Sequence, residues 1–439
     1  MAAISYEIYG LKEGRWLLEA VEESEEPAIA HARSLFLVGG WEEVKVLRQR
    51  SLMGLVGMET EVFRQKKPTQ KDKPVQITRI ALKNENRCSD LDDFYTFEGR
   101  MIIGRLLRQH LEKFKITATE LLHNYKYITK LNDAGNLVGS AIHHVARSQN
   151  SAAEGETAKH RAQALEKLVQ QGIVKARDLV AEKKKLPKFQ VAELAKTSAA
   201  IRQAVGNTRH AYVFLTLLTD YFYGGASLYG KMEQALDMME TLEKQEQETG
   251  NPEIAPLYPL LEGVITDVLA SAEVVKELLG PQPTLGDGLG ALGDFLNGRP
   301  PGAGTEVSPL LPRLGALIRS GRAGLCRVVL IERLRQGVAQ DQPLDKREPL
   351  KDDVRLKSLV ERLKDAQGQI IGGSVVERAL AERGIRHRQA LLRAQGMHDI
   401  ADNLRQYYTA KPDPEKPDPE KPDPEKPGTE KPEMKDGGG

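Results

Sequence analysis

The chain is short of cysteine, of aromatic residues and of long apolar runs, and each shortage excludes a class of protein. Only Cys88 and Cys326 occur among the 439 residues. Two thiols so far apart cannot build a Cys-rich zinc site or the disulfide framework of a small secreted scaffold, and they read as reduced cysteines. Aromatic residues make up 5%, while the plentiful Leu, Ala, Glu, Lys and Arg favour helices over sheets. The nearest approach to a membrane span, Ala211 to Leu218, is ended by Asp220, well short of the roughly 20 apolar residues that a bilayer requires. The opening MAAISYEIYG lacks a basic segment followed by an apolar core, so no secretory signal is expected there and the cytoplasm is the expected location. An excess of one charge is also missing. Lys and Arg number 63 against 62 Asp and Glu, a net charge of +1, which gives no global pull toward nucleic acid or anionic membrane and leaves only local patches to supply one.

What is present points to an α+β chain, predominantly α. Residues 1–65 read as a small ββαββ module. Ser5 to Gly10 alternates, with Tyr6 and Ile8 set against Glu7 and Tyr9, as a half-buried strand does. A turn at Lys12-Glu13-Gly14 leads to a second strand, Arg15 to Val21. Ser24 can cap a helix from Glu25, with Pro27 in its first turn and Gly39-Gly40 at its end. Val44 to Leu47 and Glu59 to Phe63 supply the last two strands.

Residues 66–88 read as a linker or loop, and 89–279 as a helical domain. The spacing predicts helices over 90–114, 117–132, 136–149, 157–184, 190–222, 227–248 and 257–279. Residues 280–308 are rich enough in Gly and Pro to read as a flexible connector. A C-terminal helical region, 309–408, follows. The tail, 409–439, carries KPDPE three times from Lys411, a composition that cannot offset the entropy of ordering and is expected to be disordered.

Candidate sites are sparse. Glu120 and His123 share the i, i+3 spacing of di-iron bundles, but no second copy follows; His143 or His144 could join His123 in a zinc reading. Asp90, Asp92, Asp93 and Glu98 gather where acids complement a helix dipole, without the glycine-turned loop of a calcium hand. Gly288, Gly290 and Gly293 spell G-x-G-x-x-G with no strand before it. Ser227 falls short of a nucleophile elbow and suits a helix N-cap. No cofactor and no metal are expected. The densest aromatic cluster holds Tyr212, Phe214, Tyr221, Phe222, Tyr223 and Tyr229. Two basic stretches, Lys175 to Lys188 and Arg378 to Arg393, are interspersed with acids, as solvated helix faces are.

Three functions remain. A non-catalytic adaptor, scaffold or regulatory protein, acting through protein–protein contacts of its helical body, accounts for the modular layout and the amphipathic C-terminal helices. Its expected partner-binding residues are Tyr212, Tyr221, Phe222, Tyr223, Tyr229, Arg378, Arg386 and Arg388, with a protein partner or a second copy as occupant. An enzyme would have to assemble its site from His110, His123, His143, His144, Asp90 and Asp220. Nucleic-acid or anionic-surface binding through the basic helices is the third reading, and the near-neutral charge counts against it as the main activity.

Overall fold

A computed structural model describes residues 3–12, 15–38, 41, 43–51, 59–66, 75–80, 87–149, 157–223, 227–300, 302, 306–348 and 351–409. The expected tail lies outside the described residues apart from Thr409, as do parts of the expected linker. The chain divides into two units, Met1–Gln76 and Ile77–Gly439.

The first unit is the expected ββαββ module. Strands β1 (Ala3–Lys12), β2 (Arg15–Glu22), β3 (Glu43–Ser51) and β4 (Glu59–Lys66) form an antiparallel sheet in the order β2-β1-β3-β4, with helix α1 (Glu25–Val38) between β2 and β3. Period-2 alternation sends Tyr6, Ile8, Val44 and Val46 to one face, where they pack on Ala28 and Ala32 of α1. Gly10 continues that face, and the Trp41 ring lies where a Cβ there would project. Glu19 is the extra residue of a bulge between Leu18 and Ala20.

The second unit is helical among the described residues. In chain order it comprises α2 (Phe97–Leu106), α3 (Arg108–Phe114), α4 (Ala118–His123), α5 (Tyr125–Asn132), α6 (Leu137–Ser148), α7 (Ala158–Glu182), α8 (Leu194–Val205), α9 (Asn207–Phe222) and α10 (Leu228–Thr249). There follow α11 (Tyr258–Leu269), α12 (Ala272–Leu279), α13 (Leu285–Leu296), α14 (Leu310–Arg319), α15 (Gly324–Ala339), α16 (Asp352–Leu363), α17 (Ser374–Ala394) and α18 (His398–Thr409). Several expected long helices are broken in two. Leu107 separates α2 from α3 at φ −98° and ψ 17°, Asn124 caps α5 with its side chain, and Gly206 separates α8 from α9 at φ 77°.

The stretch 280–308 departs most from expectation. Helix α13 occupies its middle, capped by Thr284, whose Oγ1 accepts from the Asp287 amide at 3.0 Å. Leu289, Leu292 and Leu296 are buried in the main core, and Gly293 lies where a Cβ would collide with Leu363 of α16. The glycines of the G-x-G-x-x-G match therefore sit within a helix and against a neighbouring one, not in a phosphate loop. That core runs from Leu179 to Leu380, drawing helices of both 89–279 and 309–408 into one interior.

Candidate ligand cavity

Helix α4 has six residues, too few to persist on its own propensity. Its ends are held by charge. Thr117 and Glu120 form a reciprocal capping box, with the Thr117 amide donating to Glu120 at 2.8 Å. Lys231 of α10 donates to both oxygens of Glu120 at 2.8 and 3.0 Å and to the Lys115 carbonyl at 2.7 Å. Asp267 of α11 accepts from the Thr119 amide at 2.6 Å and hydroxyl at 2.7 Å, and from Arg100 of α2 at 3.2 Å. These groups are buried. Each buried carboxylate thus has a cationic partner and further donors, the condition under which buried charge is tolerated.

His123 closes the same helix. Its Nδ1 donates to the Thr119 carbonyl at 2.8 Å, and its ring lies 5.2 Å from that of Tyr95 and 4.9 Å from that of Tyr212. The Lys175 ammonium stands over the two tyrosine rings at 4.5 and 4.4 Å. Burial, with Arg100 and Lys175 near by, holds the His123 imidazole down to about 3, although the Thr119 hydrogen bond opposes this. It is neutral at neutral pH. Burial pushes the Tyr212 hydroxyl up to about 12.

The opposite side of α4 is apolar. Leu121 and Leu122 line a cavity of about 160 Å³ together with Ile102 and Leu106 of α2, Ile128 and Leu131 of α5, Ile142 and Val145 of α6, and Leu165 and Val169 of α7. Its polar-bearing side chains are Cys88, Tyr95, Asn132 and Gln149. Gln149 is engaged by Arg161 at 3.0 Å. Burial, with Asp93 adding to it, raises the Cys88 thiol above its ordinary value, so it stays protonated and a poor nucleophile. Protein interiors seldom leave voids larger than a water molecule. Cavities of about this volume with Leu, Ile and Phe walls stay dry and accept a single apolar ring.

The residues singled out from sequence are placed as follows. Glu120 and His123 share a helix, but both Glu120 oxygens are engaged by Lys231 and His123 Nδ1 by the Thr119 carbonyl; among the described residues no group of three or more His, Cys, Asp or Glu could hold a metal ion. His110 is buried against Phe114, and neither ring nitrogen has a hydrogen-bond partner among the described residues. His143 is exposed, His144 meets the Ile80 carbonyl at 2.8 Å, Asp90 caps the turn before α2, and Asp220 pairs with Lys183. Neither this cavity nor the four others described joins two of these histidines and aspartates.

Of the aromatic cluster, Phe214 and Phe222 are core, Tyr229 meets Ser308, and Tyr221 and Tyr223 are exposed. Ser227 is the N-cap of α10, donating no chemistry beyond accepting from the Gly230 amide at 3.1 Å. Arg378 and Arg388 are exposed, whereas Arg386 donates to the Ala339 carbonyl at the end of α15. The cavity walls, Arg100, Lys231 and Asp267 escaped sequence reasoning, because each looks like an ordinary helix residue until five helices converge. No protein family, curated protein or solved structure matches this chain.

Proposed function

We propose that this chain is a non-catalytic regulatory protein whose helical unit takes up a small apolar molecule in the cavity between α2, α4, α5, α6 and α7. The observation that carries the reading is the cavity itself, about 160 Å³ with almost wholly apolar walls. Small-molecule sites in bundles lie between helices and combine apolar lining with a few polar groups. The ligand class is a single ring or a short branched alkyl group with at most one polar substituent. The buried ion pairs behind α4 give the site a rigid wall. His123, held neutral and engaged by a backbone carbonyl, is poorly suited to proton transfer at neutral pH, which favours binding over catalysis.

The test is a thermal-shift series with toluene, indole and short alkanols against matched sugars as polar controls. Ring-sized apolar probes should raise Tm in a concentration-dependent way. Ala141→Leu and Ala141→Phe, which grow into the cavity, should reduce and then abolish the shift. Absence of any shift in the unsubstituted protein would sink the proposal.

A docking role for the N-terminal module is the second reading. It is favoured by Leu17, Leu18 and Val21, which are 44%, 51% and 55% exposed on the edge strand β2. Deleting residues 1–76 should then alter the oligomeric state or the set of bound proteins, as read by light scattering and pull-down.

A further inference from the structure

We infer that the helical unit carries a second, separate binding face, for single-stranded nucleic acid, where α5, the end of α9 and the lysine run after α7 meet. The sequence holds its parts far apart. The run Lys183-Lys184-Lys185 and the tyrosines after Asp220 each look like an ordinary helix end. The fold joins them, since Lys183 pairs with Asp220, and Asn124, the cap of α5, donates to the other oxygen of that carboxylate at 3.4 Å.

From there the face continues along α5. The Lys126 ammonium lies 4.3 Å from the centre of the Tyr223 ring, and that ring lies 5.3 Å from Tyr127. One turn on, Lys130 stands over Tyr127 at 5.5 Å and over Phe114 at 5.6 Å. Tyr221, on the lysine-run side, is 6.1 Å from Phe189. Three of the rings offer surface to solvent, Tyr221 at 48%, Tyr223 at 37% and Phe114 at 36% exposed, while Tyr127 is buried behind Tyr223. Lys126, Lys130, Lys184 and Lys185 are exposed.

The carboxylates that could cancel these lysines are largely spent. Asp220 is held by Lys183 and Asn124, and Glu182 pairs with Arg209 at 2.8 Å; Asp133, at the far end of α5, is exposed. A net charge of +1 for the whole chain is compatible with a local excess of this kind.

Rings alternating with ammonium groups are what a single strand requires. Unstacked bases lie on ring faces, while lysines follow the phosphates. A duplex buries its base faces and would meet only the lysines.

The experiment is fluorescence anisotropy of a labelled oligouridine of about 20 nucleotides, within the range of known single-strand sites, titrated with the full chain. The salt concentration is set at about 50 and then about 200 mM. Phosphatidylserine vesicles are run in parallel by co-sedimentation. Binding should weaken steeply with salt, by roughly 0.7 log units per log of salt for each phosphate contacted. Lys126→Glu with Lys130→Glu should cost tenfold or more. Tyr223→Ala should cost about tenfold while leaving the salt dependence unchanged, the mark of stacking. Lys276→Glu, an exposed lysine on α12, should change nothing. Four results would overturn the inference: no binding at low salt, equal losses from Lys276→Glu, indifference to Tyr223→Ala, or capture of the vesicles without the oligonucleotide.

Discussion

Lys231 and Glu120 are 2% and 1% exposed in their side chains and bonded to each other at 2.8 Å. Removing one partner strands the other charge in the interior, which typically costs 3–5 kcal/mol, whereas removing both can be nearly neutral. Lys231→Met is therefore expected to destabilise by about 3–5 kcal/mol in urea unfolding. Adding Glu120→Leu to it should recover much of the loss. His123 makes a second prediction, on pH. Its folded-state value of about 3 lies below the unfolded value of about 6.5, so the unfolded chain binds the proton first. The stability it contributes is full above about pH 6.5 and falls as pH drops toward 3. Between pH 7 and 5 this amounts to about 2 kcal/mol. The charged groups facing it are Arg100 and Lys175. The difference between the unsubstituted protein and His123→Phe, measured by urea unfolding at both pH values, should shrink by about that amount at pH 5. A constant difference would show that His123 is not the group titrating.

At the scale of elements, glycine makes the clearest contrast. Gly280 ends α12 at φ 71° and ψ −179°, a region close to glycine-only, and a Cβ there would run into the Glu306 carbonyl oxygen. Gly172 lies inside α7, where an added Cβ would meet Leu91 at an ordinary 3.4 Å. Gly280→Ala should cost about 1–3 kcal/mol, and Gly172→Ala should be neutral or stabilise by up to about 1 kcal/mol. Unfolding midpoints of the two variants decide it. The same residue type explains what the sequence reading missed. The glycines of 285–296 read as breakers, while Leu285, Leu289, Leu292 and Leu296 repeat at helical spacing and mark α13. The ββαββ order was legible because its alternation and turns are local. Glu120 and His123 were visible as a pair, but the Lys231 and Asp267 that hold their helix come from α10 and α11. The cavity was not legible at all, since Leu121, Ile142 and Val169 have no distinguishing neighbours until α4, α6 and α7 pack.

At the scale of the whole molecule, the two units give two sizes of core. The N-terminal unit buries a few side chains around Ile8, Val44 and Val46, and the helical unit buries a core reaching from Leu179 to Leu380. Small domains bury a lower fraction of their surface and are the more marginal. The chain supplies its own reporter for each. Both tryptophans, Trp16 and Trp41, lie in the first unit, with Trp16 under the Lys45 ammonium at 4.4 Å and Trp41 over Gly10. Far-ultraviolet circular dichroism is dominated by the helices of the second. Tryptophan fluorescence should therefore report the sheet module, and dichroism the helical unit, in one urea titration of the full chain. The fluorescence midpoint is expected at the lower urea concentration, with a shallower slope because less surface is exposed. Deletion of residues 1–76 should leave the dichroism transition in place. Superimposable curves, or loss of the helical transition on deletion, would mean that the two units stand or fall together.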